Sequence, residues 1–479
     1  MRVLCVLAEN TPPSRERYVD LLRAVSIVLV VIGHWLVSVI THDRNGQLAG
    51  HSALGSMTWM YPLTWLFQVM PLFFVAGGYA NAASLAAHRR RGGDAVTWLR
   101  GRGVRLLRPT TAFLLVLALV ALVAQALGAD PGLTRLAVWF ATIQLWFLTA
   151  YLAVVVLTPL MYWLHQRFGW GVVVTLVVLI ALGDVARLHG HGELADGGYL
   201  YGWLAIHQVG FFWRDGRLPF RPRVWATLLA GGLVTVLALT LAGPYPMSMV
   251  DLPGKGPHNA SPPTVALLAT ATFQLGLVMM LHGPAERWLR RERPWRAVIG
   301  VNVVVFTVFL WHMCAVLLLV GLLGALGALP TPAAGTVSWW LWRVPWFGLL
   351  GVILAGLVAV FGRVELRGQA PAPRWSASRW LARWLARCPL APAWRRQPAR
   401  LALTLTAFAL AVTGLISNNV APARAHYLVG LPLGGLLAYL AGAGLLRLGG
   451  VLENGGGSNG HGRSTIQSRT RRLNSSGRS

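Results

Sequence analysis

Long apolar runs, separated by short polar segments, fill most of the chain. A helix that crosses the hydrocarbon core of a bilayer needs about 20 apolar residues, so each run of that length predicts one membrane-spanning helix. The sixth run is short and contains His207 and Gln208, which leaves a range of ten to twelve spans. The pattern predicts an all-α polytopic membrane protein with about twelve transmembrane helices. The runs lie near 20–41, 60–86, 109–128, 137–163, 169–187, 197–213, 224–243, 264–282, 299–325, 338–362, 401–417 and 427–446.

The amino-acid composition also indicates a membrane protein. Of the 479 residues, 55% are hydrophobic and only 12% are charged, and the mean hydropathy is +0.57. A soluble domain carries a much smaller apolar share. Cys5, Cys314 and Cys388 are scattered and do not have the spacing of metal ligands or of a disulfide framework, so the sequence predicts no metal site.

Basic residues are unevenly distributed along the chain, whose net charge is +27. If the N-terminus lies in the cytoplasm, nearly all Lys and Arg residues fall in cytoplasmic segments such as 87–108, 283–298 and 363–400. This asymmetry follows the positive-inside rule and predicts that both termini are cytoplasmic. The charge is then explained without a nucleic-acid partner, and it favours contact with anionic membrane lipids.

The first apolar run carries ionisable residues at unusual positions. Asp20 and Arg23 lie at its start, and His34 lies about halfway along it. Ionisable side chains inside a span are costly and are usually functional. Arg23 and His34 are eleven positions apart, which at about 100° per residue puts them on one helix face, roughly 16 Å apart. We therefore expect a functional site along this face.

Several segments, in a fixed order, resemble one known family. The first helix contains D-L-L-R, ten further residues and His34; then follow LFFVAGGYANAASL at 72–85, RGRGVRLLRP at 100–109, QLWFLTAYL at 144–152 and FLWH at 309–312. The ordered set resembles the acyltransferase 3 family of integral membrane acyltransferases. The hallmark of that family is a basic residue separated from a histidine by ten positions.

The resemblance divides the chain into segments. It implies a membrane acyltransferase core of ten helices over 15–362, preceded by a cytoplasmic N-terminal segment, 1–14. A basic, Trp-rich cytoplasmic linker, 363–400, is either an amphipathic helix on the inner leaflet or a plain connecting loop. Two additional transmembrane helices follow in 401–446. The last segment, 447–479, is rich in Gly, Ser and Arg and is predicted to be a disordered basic tail.

His34 and Arg23 are the predicted catalytic residues. Acyl transfer from a thioester to a hydroxyl group needs a base that removes the hydroxyl proton, and a neutral imidazole suits this task. The resemblance likewise implies that the histidine of this motif is catalytic. The alternative for His34 is an inert hydrogen bond between helices. Arg23 either holds the acyl donor or forms a structural ion pair with Asp20.

Arg105 and Arg108 match the Arg-x-x-Arg part of the family's basic segment. Guanidinium groups bind phosphates through bidentate hydrogen bonds, so we predict that this pair binds the phosphates of acyl-CoA. The other arginines nearby, including Arg100 and Arg102, are expected only to set the orientation of the protein in the membrane. For Arg105 and Arg108 too, orientation is the alternative role.

Together these residues predict a membrane O-acyltransferase. Acyl-CoA, most simply acetyl-CoA, is expected as a co-substrate, with no permanently bound cofactor. The acceptor is expected to be a hydroxyl group of a sugar, a glycolipid or a related envelope or secondary-metabolite molecule. His312 and Asn302 share a later helix, where they either bind this acceptor or pack against other helices. The expected location is a cell membrane, such as the bacterial plasma membrane.

Two other classes of protein remain open. A twelve-helix secondary transporter would also have a basic loop between its second and third helices, but the later basic segment at 287–296 lacks glycines and the two halves show no repeat. The other class is a non-catalytic protein that organises lipids or an assembly. The chain has no G-x-S-x-G or H-E-x-x-H motif, which disfavours hydrolases and metalloproteases of those types.

Overall fold

The computed structural model describes residues 9, 11–12, 15–42, 48–252, 258–367 and 397–456. Helices account for most of these residues, and one antiparallel hairpin, β1 (Ser38–His42) with β2 (Leu48–Ser52), follows the first helix. The main helices are α1 (Arg17–Val37), α2 (Met70–Arg90), α3 (Ala95–Ala126), α4 (Pro131–Thr142), α5 (Leu145–Phe168), α6 (Trp170–Leu188), α7 (Gly198–Arg214), α8 (Pro222–Leu237), α9 (Val265–Leu289), α10 (Glu292–Ala325), α11 (Val337–Arg367), α12 (Gln397–Val420) and α13 (Leu433–Gly456).

Within the described residues, eleven helices are long and apolar enough to cross a membrane. The chain is therefore an all-α polytopic membrane protein, as the apolar runs predict. Two of the thirteen helices are not among the eleven: α4, with 12 residues, and α7, with 17 residues. The short sixth run of the sequence corresponds to α7, so the difference between eleven and twelve spans depends on this helix.

The first helix ends earlier than the sequence predicts. α1 stops at Val37, and the chain continues into β1 instead of remaining helical to residue 41. His34 consequently lies in the last turn of α1. The expectation that it lies halfway along the helix is wrong, because the apolar run continues into a strand that hydropathy alone does not separate from a helix.

The predicted span 137–163 is two helices, α4 and α5, with Gln144 between them. The Gln144 amide is buried and donates hydrogen bonds to the carbonyl groups of Ala141, at 2.8 Å, and Leu310, at 2.9 Å. These bonds satisfy backbone acceptors at the break and connect it to α10. A polar residue inside an apolar run therefore marks a helix boundary here.

The basic segment before the third predicted span is itself helical. α3 begins at Ala95, where the Asp94 side chain accepts a hydrogen bond of 2.7 Å from the backbone amide of Thr97 and caps the helix. The segment 100–109 thus forms two to three turns of α3. Arg102, Arg105 and Arg108 follow one another at intervals of three residues, which places them on the same side of the helix.

α2 and α7 pack with their backbones in close contact. A side chain at Gly78 would collide with the carbonyl oxygen of His207, and one at Gly210 would collide with the carbonyl oxygen of Val75. Small residues at such positions let membrane helices approach closely. This contact holds α7 against α2.

The two C-terminal helices pack on the rest of the bundle. α12 lies along α13 and contacts α5, while α13 contacts α3. α13 continues to Gly456, so the first ten residues of the segment 447–479, expected to be disordered, are helical here. The remainder of that segment, 457–479, most of the linker 363–400 and most of the N-terminal segment 1–14 lie outside the described residues.

Candidate active site

A cavity of about 550 Å³ lies at one end of the bundle, between α1, α3, α10 and α11. Its charged lining consists of five arginines and two carboxylates: Arg15, Arg23, Arg102, Arg105, Arg108, Asp20 and Glu365. Among the described residues that line the cavity, positively charged side chains therefore outnumber negatively charged ones. Such a lining attracts an anionic ligand.

The α1 side of the cavity is organised around Asp20. Its carboxylate contacts Arg15 at 2.6 Å and Arg23 at 3.8 Å. The amide nitrogen of Asn302 donates to the backbone carbonyl of Asp20 at 2.9 Å, which connects α10 to α1. The ion pair between Arg23 and Asp20 is thus present, and Arg23 also lines the cavity. Asn302 lines this cavity too, ten positions before His312 on α10.

The α3 side of the cavity contributes three arginines with different surroundings. Arg102 donates to the carbonyl group of Ala80 at 3.2 Å and to the hydroxyl group of Ser84 at 2.7 Å. Arg105 and Arg108 make no hydrogen bond or ion pair with any described residue, so their guanidinium donors are free. The sequence predicts a binding role for Arg105 and Arg108 and only an orienting role for Arg102, and the structure places all three on one cavity.

Glu365 of α11 is a cavity residue that sequence reasoning missed. Its carboxylate accepts hydrogen bonds from the Thr307 hydroxyl group at 2.7 Å and from the backbone amides of Thr307, at 2.9 Å, and Phe306, at 3.3 Å. These bonds fix the carboxylate against α10. The only sequence signal was a single acidic residue at the basic end of the last core helix, and such residues are common at helix ends.

Apolar side chains close the inner end of the cavity. They come from four helices: Ile27, Phe73, Phe147 and Phe309. The Phe73 and Phe147 ring centroids are 5.0 Å apart, and those of Phe147 and Phe309 are 5.4 Å apart, with both pairs in edge-to-face geometry. We call these four side chains the apolar floor. Ile27 and Phe309 precede His34 and His312 along α1 and α10, so the floor lies on the histidine side of the charged lining.

A histidine pair lies beyond the floor, about one helical turn after Phe309 on α10 and about two turns after Ile27 on α1. The Nδ1 atom of His34 is 2.8 Å from the Nε2 atom of His312, and the two ring planes differ by 10°. The Phe309 ring belongs to the floor, and its centroid is 6.2 Å from that of His312. His312 is fully buried and His34 is partly buried. The sequence identified both histidines but did not predict that they contact each other.

The backbones around the histidine pair are also connected. The indole of Trp35 donates to the backbone carbonyl of His312 at 3.0 Å, and the Ser38 hydroxyl donates to the carbonyl of His34 at 2.6 Å. The Nδ1 atom of His312 is 2.7 Å from the carbonyl oxygen of Phe309. The His312 ring is thus held within α10, and the contact between the two rings and the Trp35 bond join α1 to α10.

The structure thus divides the predicted site residues into two groups. Arg23, Arg105, Arg108 and Asn302 line the cavity, whereas His34 and His312 are not among the described residues that line it. The apolar floor lies between the groups.

A comparison with protein-family models finds one match. The family described as an acyltransferase domain matches residues 16–364, which is well over half of the chain. The same comparisons find no matching curated protein and no matching solved structure. The matched residues include both groups of predicted site residues, whereas the cavity residues Arg15 and Glu365 lie just outside the match.

Proposed function

The chain belongs to the acyltransferase 3 family, and from this premise we propose that it is a membrane O-acyltransferase that uses acyl-CoA. The acyl group is most simply acetyl. The acceptor is a hydroxyl group of a sugar, a glycolipid or a related envelope or secondary-metabolite molecule. Acyl-CoA binds at the cavity, and its acyl group is transferred at the histidine pair.

One observation carries the donor assignment: Arg105 and Arg108 have free guanidinium groups on a 550 Å³ cavity that is rich in arginine. Coenzyme A carries several phosphate groups, and each can accept bidentate hydrogen bonds from a guanidinium group. Arg102 is held by Ala80 and Ser84, and Arg23 by Asp20, so these two shape the cavity as well as adding charge.

The distance between the two groups suits a thioester on a long arm. Arg23 and His34 are eleven positions apart on α1, which corresponds to about 16 Å along the helix axis. The pantetheine arm of coenzyme A has a similar extended length. With the phosphates at the arginines, the arm passes the apolar floor when the Phe309 side chain turns aside, and the thioester reaches His34.

His34 supplies the general base in this proposal. Its Nε2 atom takes the proton of the acceptor hydroxyl group while the hydroxyl oxygen attacks the thioester carbonyl carbon. The carbon–sulfur bond then breaks, and the coenzyme A thiolate takes the proton from His34. A variant of this route has the imidazole carry the acyl group itself before the acceptor arrives.

We further propose the orientation that the loop charges favour. The cavity lies at the end of the bundle where α1 begins and where the basic segment of α3 lies, and this end faces the cytoplasm by the positive-inside rule. If α7 counts as a twelfth span, both termini are cytoplasmic. Acyl-CoA then enters the cavity from inside the cell. The membrane that holds the protein is most simply the bacterial plasma membrane.

The test uses purified full-length protein in lipid nanodiscs with acetyl-CoA that carries a labelled acetyl group. A bacterial glycolipid extract serves as the acceptor probe, and the readouts are coenzyme A release and label in the extract. We expect His34→Ala to lower transfer by about 10²- to 10⁴-fold, the usual contribution of a positioned base, while acetyl-CoA binding is retained. His51→Ala, at an exposed histidine of β2, is the matched control and should keep full activity.

Full transfer activity in His34→Ala would refute the catalytic assignment. Uptake of a solute into vesicles without consumption of thioester would instead favour the transporter.

A further inference from the structure

We propose that His312 is a positioning residue, which holds the His34 imidazole in the tautomer whose Nε2 atom carries a free lone pair. This inference rests on the proposed function, in which the same Nε2 atom acts as the base. It follows from the order of hydrogen-bonding atoms between α10 and α1.

The first step concerns the contact between His312 and the backbone. A carbonyl oxygen can only accept a hydrogen bond, so the Nδ1 atom of His312, 2.7 Å from the Phe309 oxygen, must carry the proton. In a neutral imidazole the other nitrogen is then an acceptor. The Nε2 atom of His312 therefore presents a lone pair to α1.

The second step transfers this constraint to His34. Its Nδ1 atom lies 2.8 Å from the Nε2 atom of His312, so it must donate the hydrogen bond and carry a proton. The Nε2 atom of neutral His34 is then unprotonated. His34 thus donates to His312, and His312 donates to the Phe309 carbonyl, so both donors point towards α10 and an unprotonated nitrogen remains on His34 at the α1 end.

The opposite order of protons needs a charged His312. If His312 carried protons on both nitrogens, its Nε2 atom would donate to His34, and the Nε2 atom of His34 would be protonated and useless as a base. Among the described residues, no carboxylate forms an ion pair with either histidine. His312 is fully buried, and a buried charge without a partner is costly. The neutral chain is therefore the favoured state.

The ring geometry is held as well as the tautomer. Trp35 follows His34 on α1, and its indole donates to the His312 carbonyl at 3.0 Å. The side chains and the backbone of α1 and α10 are thus joined at the same level. A base that keeps one orientation loses little freedom when the acceptor binds, which favours reaction.

Three substitutions of His312 separate the possible roles. His312→Gln keeps an acceptor near the position of the Nε2 atom, His312→Asn keeps a donor to the Phe309 carbonyl but does not reach His34, and His312→Leu keeps neither. We expect kcat to fall about 100-fold or more in the Asn and Leu variants, within the range that a general base contributes. The Gln variant should retain a substantially larger kcat. The KM for acetyl-CoA should stay unchanged in all three, because His312 does not line the cavity.

Nitrogen NMR on histidine-labelled protein reads the tautomer without any activity. The His34 signals, identified by their loss in His34→Gln, should show a protonated Nδ1 atom and an unprotonated Nε2 atom in the wild type. His312→Leu should lose this preference. A protonated Nε2 atom in neutral wild-type His34 would overturn the inference, and so would a wild-type kcat in the Asn and Leu variants.

The two proposals fail in different ways. If the wild-type protein transfers no acyl group to any acceptor, the proposed function fails, whereas the NMR result still decides the tautomer. If transfer occurs but kcat is equal in the Gln, Asn and Leu variants, the function stands and the positioning role is wrong. Acetyl-CoA binding by each variant verifies that it is folded.

Discussion

Guanidinium groups lie near both ends of α3, in very different surroundings. Arg135 of α4 lies near one end, and Arg105 and Arg108 of α3 lie near the other. Arg135 is fully buried. It donates to the Asn418 side chain at 2.9 Å and to four backbone carbonyls, of Asn418, Gly430, Ala421 and Pro422, at 3.1–3.2 Å. Arg105 and Arg108 make no such bonds with the described residues, and they line a cavity.

The difference separates structural arginines from binding arginines. A buried guanidinium whose donors all meet acceptors holds parts of the protein together, here α4 and the loop between α12 and α13. Guanidinium groups that make no bonds within the protein and line a cavity can exchange hydrogen bonds with water for bonds with an anionic ligand. The number of hydrogen bonds that each group makes within the protein, more than its depth, therefore indicates its role.

The largest effect on folding is expected for Arg135→Met. The substitution leaves three buried acceptors, on Asn418 and Gly430, and two part-buried carbonyls without their donor, and unpaired buried acceptors cost about 1–3 kcal/mol each before relaxation. With some rearrangement, we expect the free energy of unfolding to fall by about 3–5 kcal/mol, as for other buried charge networks that lose one partner. The measurement is thermal unfolding in detergent, followed by tryptophan fluorescence.

Arg424→Met, at an exposed arginine in the adjacent loop, is the control for this prediction and should change the unfolding temperature little. If the Arg135→Met protein unfolds like the wild type but binds acetyl-CoA weakly, the division into a structural Arg135 and binding cavity arginines is wrong.

The second prediction concerns the cavity arginines. Arg108→Met should raise the KM for acetyl-CoA about 10- to 100-fold, because a charge-assisted hydrogen bond contributes about 1.5–3 kcal/mol. Arg105→Met should act in the same direction but less strongly, since Arg105 is exposed and its charge is better screened. Neither should lower the unfolding temperature. Initial rates over a range of acetyl-CoA concentrations, at low and high salt, measure the effect.

Arg90→Met is the matched control for the cavity variants, since Arg90 is an exposed arginine at the end of α2 that does not line the cavity. An equal rise in KM for Arg90→Met would mean that general surface charge, and not the cavity, attracts the donor.

The contrast between these arginines also shows how far the sequence alone leads. Apolar runs and loop charges predict a polytopic helical membrane protein, because burial in lipid leaves a signal in every residue of a span. The Arg105 and Arg108 pair is visible as a motif. Whether a guanidinium group is free depends on acceptors far away in the chain, such as Asn418 for Arg135, and no local pattern records them.

The same limit applies to the histidines and the carboxylate. His34 and His312 are separated by 278 positions, so their contact follows from the packing of α1 on α10 and not from spacing within either helix. Glu365 reaches the cavity only because α11 packs along α10. Local sequence identified the chemistry-bearing residues of the two helices, and tertiary packing decides which of them share a site.

The smallest effect is expected for Tyr439→Phe, which tests whether the two regions are independent. Tyr439 of α13 donates from its hydroxyl group to the carbonyl of Leu107 at 3.1 Å, next to Arg108. Arg135 holds the C-terminal helices at one end. Tyr439 joins these helices to the part of α3 that carries the cavity arginines.

Removal of one neutral hydrogen bond in Tyr439→Phe should lower the free energy of unfolding by about 1 kcal/mol. Since Thr111 also donates to the Leu107 carbonyl, at 2.6 Å, the acceptor keeps a partner and α3 should not move. Kinetics on the same preparation should then give an unchanged KM for acetyl-CoA. A rise in KM comparable to that of Arg108→Met would show that α13 sets the position of the cavity arginines, and the two regions would have to be treated as one.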